Sequence, residues 1–153
     1  MTVNPEGEGM APIQISVTLT AGPNRRIIAR TRDHAIHMDV RKERGGEDTG
    51  PTPPECLAMA LGGCVMNMTR VIARDRGIRL CDIKMAIRGD IDPSRAFGLE
   101  STARAGFSDL SIALELIPEP SERDREQLLH DLSSRCPLCD TISNPTPLKI
   151  TLK

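Results

Sequence analysis

Five cysteines are the residues of this sequence best suited to chemistry, because a thiolate is both a nucleophile and a metal ligand. They stand at positions 56, 64, 81, 136 and 139. Residues 1–12 carry Glu6 and Glu8 and lack the apolar stretch of an export signal, so we expect a cytoplasmic protein with reduced thiols. An odd number of cysteines also fits poorly with a fully paired disulfide framework. Thiol chemistry and metal binding are therefore the first functions to weigh.

Cys64 ends the segment Leu61-Gly62-Gly63-Cys64, in the middle of a predicted helix that is apolar on every side. A buried cysteine is usually a small hydrophobic residue, and that interpretation stays open here. Each glycine costs about 1 kcal/mol relative to alanine inside a helix, so another group must approach the backbone closely at this point. A packing element or a substrate channel to the sulfur would explain the glycines.

Cys136 falls on the apolar stripe of a second predicted helix, and Pro137 then starts a short helix. Backbone N–H groups at the start of that helix would stabilise a thiolate and lower its pKa. With Cys139 it forms a Cys-x-x-Cys pair, for which a thioredoxin-like dithiol and a zinc site are alternatives. The motif follows a helix instead of a strand, and no second ligand pair has a matching spacing. We therefore expect Cys139, like Cys56 and Cys81, to be an incidental core residue.

The elements that must position these thiols follow from the hydrophobic periodicity. Alternating apolar residues predict a half-buried strand over Ile13 to Leu19 and further strands over residues 27–30 and 35–40. A charged loop rich in Gly and Pro, residues 41–54, separates these strands from a long helix between Glu55 and Gly77. Because the first half of this helix is apolar all round, it needs cover on all sides, which tight dimerisation would supply.

Two further strands are predicted over residues 81–91 and 110–117. Two helices follow, starting at residues 120 and 137, and a last strand is predicted over residues 148–152. The order β-β-β-α-β-β-α-α-β describes an α+β fold. At 153 residues the chain has room for one domain, so we expect a single domain over residues 1–153 with a flexible N-terminal segment over residues 1–12.

Composition argues against several other classes of function. The chain has no Trp, no Tyr and only Phe97 and Phe107, which excludes a catalytic tyrosine and disfavours a base-stacking surface. The 20 basic and 21 acidic residues give a net charge of −1, so no nucleic-acid partner is expected. The longest uncharged apolar run, from Cys56 to Met68, is too short to span a bilayer, so no membrane partner is expected either.

Two motifs, one around each of two cysteines, are shared with a known family. The first is residues 45–57 (GGEDTGPTPPECL), followed by residues 61–64 (LGGC). The second is residues 136–138 (CPL), followed by residues 144–145 (NP) and the last strand. Together they resemble the OsmC/Ohr family of osmotically inducible protein C and organic hydroperoxide resistance proteins. The similarity extends over residues 13–152 with the same order of elements.

The resemblance implies an intertwined, swapped homodimer whose active sites lie between subunits. It also implies thiol-dependent reduction of organic hydroperoxides in oxidative-stress defence, with Cys64 as the attacking, peroxidatic cysteine and Cys136 as the resolving one. In the family an arginine from the first hairpin, here Arg26, activates the thiol, and a glutamate at the helix start, here Glu55, holds that arginine. The resemblance implies an external thiol or lipoyl-type reductant, and neither a cofactor nor a metal.

The chemistry independently requires a cation near Cys64. This residue lies nine positions after Glu55, roughly 13 Å along the helix, whereas the helix dipole acts only within the first turn. An arginine suits the task, because its guanidinium stays charged and can hydrogen-bond both the thiolate and the peroxide oxygen. Besides Arg26, the arginines at positions 25, 30 and 32 could supply it.

One departure from the family pattern leaves other functions open. Glu55 precedes Cys64 by nine residues, whereas peroxidases of the family have ten, and Pro54 occupies that tenth position. At about 100° per residue this shift turns the carboxylate around the helix. A divergent or non-catalytic small-molecule or stress-binding protein is therefore an alternative, and a metal-binding Cys-x-x-Cys protein is a third.

Overall fold

A three-stranded antiparallel sheet, in the order β1-β2-β3, comes first in the computed structural model, which describes residues 10–152. The strands are β1 (Thr18–Ala21), β2 (Ile27–Thr31) and β3 (His34–Met38). The register pairs Thr18 with Arg30 and Ile27 with Met38. A 3-10 turn at Pro23–Arg25 joins the first two strands. Contacts divide the described residues into two units, one up to Cys56 and one from Leu57 onwards, and this sheet belongs to the first.

The first strand is shorter than the alternation of apolar residues predicts. Residues 13–17 are not a strand, and the exposed fractions of Ile13 and Ile15 are 82% and 83%, so the expected half-buried strand over Ile13 to Leu19 is wrong for most of its length. Alternation creates an apolar face, but a strand also needs a neighbour, and β2 pairs only with Thr18–Ala21. Of the expected N-terminal segment, residues 1–9 lie outside the described residues.

The long helix α1 spans Pro53–Asp75. Glu55 caps its start: a carboxylate oxygen of Glu55 accepts hydrogen bonds from the N–H and the hydroxyl of Thr52 at 2.7 and 2.8 Å. Its buried positions recur at helical spacing: Leu61, Val65, Thr69, Ile72 and Ala73. By length and composition α1 could cross a membrane, but core helices of soluble proteins meet the same criteria. The rest of the helix is not buried within this chain.

The second unit packs a hairpin and two further helices around α1. The hairpin consists of β4 (Asp82–Asp90) and β5 (Asp109–Ile117), which pair from Asp82↔Ile117 to Asp90↔Asp109. The helices are α2 (Glu122–Arg135) and α3 (Pro137–Ser143). Ser121 caps α2 by accepting a hydrogen bond from the N–H of Asp124 at 3.2 Å. The unit's core joins α1 and α2 through Leu61, Val65, Ile72, Leu128, Leu132 and Cys136.

Only one of the two glycines before Cys64 is explained by packing within the chain. A Cβ on Gly62 would lie 2.8 Å from Ile87 Cδ1, so the absence of a side chain lets β4 approach α1. A Cβ on Gly63 would meet nothing within 4 Å. The expectation of close approach at both glycines is therefore confirmed at the first position alone.

The last predicted strand is wrong, because residues 148–152 form no strand in the described structure. Its apolar residues are instead open to solvent: the exposed fractions of Leu148, Ile150 and Leu152 are 85%, 83% and 99%. The observed order is β-β-β-α-β-β-α-α, and the α+β class is confirmed.

Candidate active site

Cys64 and Cys136 meet at the centre of the second unit. Their Sγ atoms are 3.4 Å apart, although the residues are 72 positions apart in the chain. That distance is well beyond the roughly 2.05 Å of a disulfide bond, and both residues are free thiols. Two thiols in contact are placed to exchange a proton and, after oxidation, to form a bond.

Local structure explains how Cys136 reaches this position. It follows Leu128 and Leu132 on the apolar stripe of α2, and its exposed fraction is 1%. Its N–H donates to the carbonyl of Leu132 at 3.1 Å, which closes the last turn of α2. Pro137 cannot continue that hydrogen-bond pattern, so the chain turns at Cys136 and restarts as α3.

The two sulfur atoms differ in their tendency to ionise. Burial raises the pKa of Cys64, and the neighbouring Cys136 adds to this, against a hydrogen bond from the N–H of Leu138. Burial also acts to raise the pKa of Cys136, but hydrogen bonds from the N–H and thiol of Cys139, the thiol of Cys64 and the N–H of Leu138 lower it overall. Of the two thiols, Cys136 is therefore the one that ionises more readily.

Cys139 is the third thiol of the cluster. Burial and its hydrogen bond to Cys136, together with the charges of Cys136 and Cys64, raise the pKa of Cys139 to about 12. It packs half-buried against the core, as expected, but its thiol is in contact with a candidate site residue.

The other two cysteines lie outside this cluster. Cys56 is half-buried at the start of α1, where burial, followed by the charge of Glu55, raises its pKa. Cys81 is exposed just before β4, so the expectation that it is a core residue is wrong. It follows a loop at the end of α1 instead of lying on an apolar face.

In the first unit, Arg26 is paired with Glu47. The guanidinium bonds to one carboxylate oxygen of Glu47, and the other oxygen accepts a hydrogen bond from the side-chain amide of Asn24 at 2.8 Å. The Nε of Arg26 is buried and has no hydrogen-bond partner among the described residues. The loop that carries Glu47 is fixed by Asp39, whose buried carboxylate accepts hydrogen bonds from the N–H groups of residues 40, 47 and 49.

Glu55 holds a different arginine from the one expected. Its carboxylate accepts a hydrogen bond from Arg41 at 2.6 Å, and this bond, followed by those from Thr52, lowers the pKa of Glu55 to about 2. The expected Glu55–Arg26 pair is therefore not the one that forms. Sequence reasoning missed Arg41. The only local signal was the Thr52-x-x-Glu55 spacing of a capping box, which fixes the carboxylate but does not identify its cation.

The remaining candidate arginines take other roles. Arg25 donates to the carbonyl of Arg44 at 2.9 Å, Arg30 is an exposed residue of β2, and Arg32 lies in the β2–β3 turn with a φ of 50°. Within residues 10–152 no group of three or more His, Cys, Asp or Glu side chains is arranged to hold a metal ion.

Comparisons with known proteins agree with this architecture. The family model of OsmC-like protein matches residues 45–151. The OsmC-like protein of Mycoplasma pneumoniae superposes with a TM-score of 0.75 at 17% identity, covering 87% of this chain and 89% of that one. No curated protein matches the chain in sequence.

Two solved organic hydroperoxide resistance proteins are similar as well. The protein from Legionella pneumophila has a TM-score of 0.62 at 21% identity, covering 87% of this chain and 91% of that one. The protein from Elizabethkingia anophelis has a TM-score of 0.64 at 15% identity, covering 85% and 88%. At these identities the likeness concerns the fold.

Proposed function

Because this chain belongs to the family of OsmC-like proteins, we propose that it is a thiol-dependent peroxidase that reduces organic hydroperoxides in oxidative-stress defence. The observation that carries the proposal is the 3.4 Å separation between the sulfur atoms of Cys64 and Cys136. Two solved relatives of the same fold are organic hydroperoxide resistance proteins. We further propose that the protein works in the cytoplasm, where such thiols stay reduced.

In the proposed reaction the Cys64 thiolate attacks one oxygen of the hydroperoxide. The O–O bond breaks, Cys64 becomes a sulfenic acid, and the other oxygen leaves with a proton as an alcohol. Cys136 then attacks the sulfenic sulfur, water leaves, and a Cys64–Cys136 disulfide remains. An external thiol or lipoyl-type dithiol supplies the two electrons that restore both thiols. No bound cofactor or metal takes part.

A cation must act on Cys64 for this step, because the pKa of Cys64 is raised and that of Cys136 is lowered. We propose that Arg26 supplies the charge in the assembled protein. The side chain of Arg26 is 40% exposed, so its guanidinium is open to a sulfur or a peroxide oxygen. Arg41, which Glu55 holds directly, is the second candidate.

We propose that the assembled protein is an intertwined homodimer with active sites between subunits. The apolar side chains of the two unpaired segments, Ile13, Ile15, Leu148, Ile150 and Leu152, are each at least 82% exposed. Burying one such side chain stabilises a protein by about 1.5–3 kcal/mol, so together they could contribute on the order of 10 kcal/mol to association. Each of the two copies makes this contribution, and together they exceed the cost of association, which is about 4–15 kcal/mol.

The dimer can be tested by light scattering over a range of concentrations. Wild type should have the mass of two chains, and Ile150→Asp should weaken association because it places a charge in the interface. Thr151→Asp, at the adjacent exposed polar position, is the matched control and should dimerise normally. A monomer in wild type, or equal behaviour of the two variants, would contradict the proposed interface.

The peroxidase itself can be tested by counting thiols. Reduced protein freed of reductant is mixed with one equivalent of cumene hydroperoxide, and free thiols and cumyl alcohol are measured. Wild type and the control Cys81→Ser should each lose two cysteine thiols per alcohol formed. Cys64→Ser should form no alcohol. Unchanged thiols in wild type at millimolar peroxide would refute the proposal.

One observation favours the alternative, a divergent OsmC-like protein that binds small molecules without peroxidase activity. Glu55 is engaged by Arg41, whereas Arg26 is engaged by Glu47. If this arrangement persists in the dimer, the cation needed by Cys64 is held differently from that of the family's peroxidases. The thiol count distinguishes the two, because a binding protein would retain its free thiols.

A further inference from the structure

Three sulfur atoms lie in one cluster, and Cys136 is the member that the other two share. It contacts Cys64 on one side, at 3.4 Å between sulfur atoms. Cys139 follows three positions later, in the first turn of α3, and packs against the core that includes Cys136. The two-cysteine reaction described above uses only the first of these contacts. The second leaves Cys139 beside the sulfur that becomes part of a disulfide.

The placement of Cys139 suits bond formation with Cys136. The two residues are three positions apart at the point where α3 begins. Residues at this spacing have Cβ atoms about 5–6 Å apart on a regular helix, and a disulfide needs about 3.5–4.5 Å. Cys136 precedes the helix in an extended conformation (φ −83°, ψ 111°), so its side chain is not fixed to helical geometry.

We propose that Cys139 is a third redox-active thiol, which takes over the disulfide from Cys64. The sulfur of Cys139 attacks the sulfur of Cys136 in the Cys64–Cys136 disulfide. The bond between Cys64 and Cys136 breaks, a bond between Cys136 and Cys139 forms, and Cys64 leaves with the proton that Cys139 gives up. No further oxidant is needed, because the exchange only moves a disulfide already made. The exchange during turnover rests on the proposed peroxidase function.

The protonation of the cluster agrees with this order of events. While Cys136 is charged, the pKa of Cys139 is raised to about 12, so Cys139 stays protonated and does not compete for peroxide. Once Cys136 is bound in a disulfide, its charge and its hydrogen bond no longer raise the pKa of Cys139, and burial is the main cause that remains. The third thiol therefore becomes a better nucleophile at the moment it is required.

A reductant meets the second disulfide at Cys139. Cys136 is 1% exposed, whereas Cys139, like Cys64, is half-buried, so an incoming thiol attacks the sulfur of Cys139 and releases Cys136. Cys136 has the lowered pKa of the cluster, and a thiol of low pKa is the better leaving group. Meanwhile Cys64 is again a free thiol and can meet a second peroxide molecule.

Trypsin makes the exchange easy to follow. It places Cys136 and Cys139 in one peptide, residues 136–149, and Cys64 in another, residues 45–70. After one equivalent of cumene hydroperoxide and alkylation, the proposal expects an internal disulfide in peptide 136–149 and an alkylated Cys64. In Cys139→Ser the product should instead be the cross-link between the two peptides. The matched control Cys81→Ser should behave as wild type.

Peroxide consumption without reductant gives a second readout. Wild type should consume about two equivalents, because Cys64 reacts again after the exchange, whereas Cys139→Ser should consume about one. If wild type accumulates only the cross-linked peptides and consumes one equivalent, the proposal is overturned while the two-cysteine peroxidase stands.

An arm without peroxide separates the two proposals. Cys64→Ser and Cys64→Ala, equilibrated in mixtures of reduced and oxidised dithiothreitol, should each form the internal disulfide of peptide 136–149. If this disulfide forms but wild type does not react with peroxide, the peroxidase proposal fails and the redox role of Cys139 stands. If neither variant forms it at any ratio at which wild type oxidises, the redox role of Cys139 is refuted.

Discussion

The Glu55–Arg41 pair makes a prediction whose size follows from the structure. The perturbation is Glu55→Gln, which removes the charge but keeps an oxygen that can accept the hydrogen bonds from Thr52. The pKa of Glu55 is lowered from 4.5 to about 2, and a shift of that size corresponds to about 3 kcal/mol if counted in full. Because 39% of the side chain is exposed, solvent screening reduces the expected loss of stability to about 1 kcal/mol.

The same shift fixes the pH dependence. A carboxyl group whose pKa is lower in the folded protein stabilises it above its unfolded pKa, and this contribution is lost as pH falls through the folded pKa. Wild type should therefore exceed Glu55→Gln in stability by a constant amount above about pH 5, and the difference should vanish between pH 4.5 and about 2. Urea unfolding at fixed protein concentration over this range measures it.

A double-variant cycle tests which arginine is the partner. Arg41→Met should remove part of the same stabilisation. The loss of stability in the double variant with Glu55→Gln should therefore be smaller than the sum of the two single losses. Arg26→Met is the matched control and should add independently to Glu55→Gln, because Arg26 pairs with Glu47. Energetic coupling of Glu55 to Arg26 instead of Arg41 would contradict the Glu55–Arg41 pair. So would a stability difference between wild type and Glu55→Gln that does not change with pH.

Two further predictions concern packing. Gly63→Ala should stabilise the isolated chain by about 1 kcal/mol through helix propensity, because its Cβ meets nothing within 4 Å, but it should weaken a dimer that closes on this face. Gly62→Ala is the comparison, because its Cβ must displace Ile87. Loss of the dimer in Gly62→Ala but not in Gly63→Ala would contradict a dimer that closes on the Gly63 face. Asp39→Ala should destabilise the protein more than Asp39→Asn in thermal unfolding, because only alanine leaves all the loop N–H groups unpaired. Equal effects would show that charge, not hydrogen bonding, fixes the loop.

Elements that depend on local pattern could be predicted well from the sequence. The helix α1, expected between Glu55 and Gly77, runs over Pro53–Asp75, and β5, expected at 110–117, runs over Asp109–Ile117. Apolar periodicity and turn residues act within a few positions, so they are visible in the sequence. The strands expected at both ends of the chain were wrong, because alternation is a local pattern, whereas the partner that a strand needs is distant in the sequence.

The candidate site shows the same difference between local features and long-range contacts. The resemblance assigns Cys64 and Cys136 paired roles, and their sulfur atoms lie 3.4 Å apart, whereas spacing alone could not join residues 72 positions apart. The partner of Glu55 was wrong, because several arginines precede it and an exposed ion pair leaves no periodic signal. The interpretation of Cys139 as incidental rests on spacing, which does not show that this residue packs against the core that includes Cys136.

The distribution of charge between Cys64 and Cys136 allows the activating cation to be tested. Without a cation, Cys136 is the thiol that ionises more readily. Cys136→Ala should therefore lower the pKa of Cys64, because the hydrogen bond and the charge of Cys136 are lost. Cys64→Ala should raise the pKa of Cys136, because a hydrogen-bond donor is lost. Peptide 45–70 holds Cys56 and Cys64, and peptide 136–149 holds Cys136 and Cys139, so alkylation is located at each cysteine by fragmentation of the peptides. Its pH dependence, with exposed Cys81 as internal standard, reports both values.

A cation that faces Cys64 in the dimer would change this result in a defined way. The pKa of Cys64 would already lie below that of Cys136 in wild type, and Cys136→Ala would lower it little further. Arg26→Met, and separately Arg41→Met, would then raise the pKa of Cys64, by tenfold in proton affinity for each 1.36 kcal/mol of lost interaction. If neither substitution moves the pKa of Cys64 while peroxide is still reduced, activation of Cys64 by Arg26 or Arg41 is wrong.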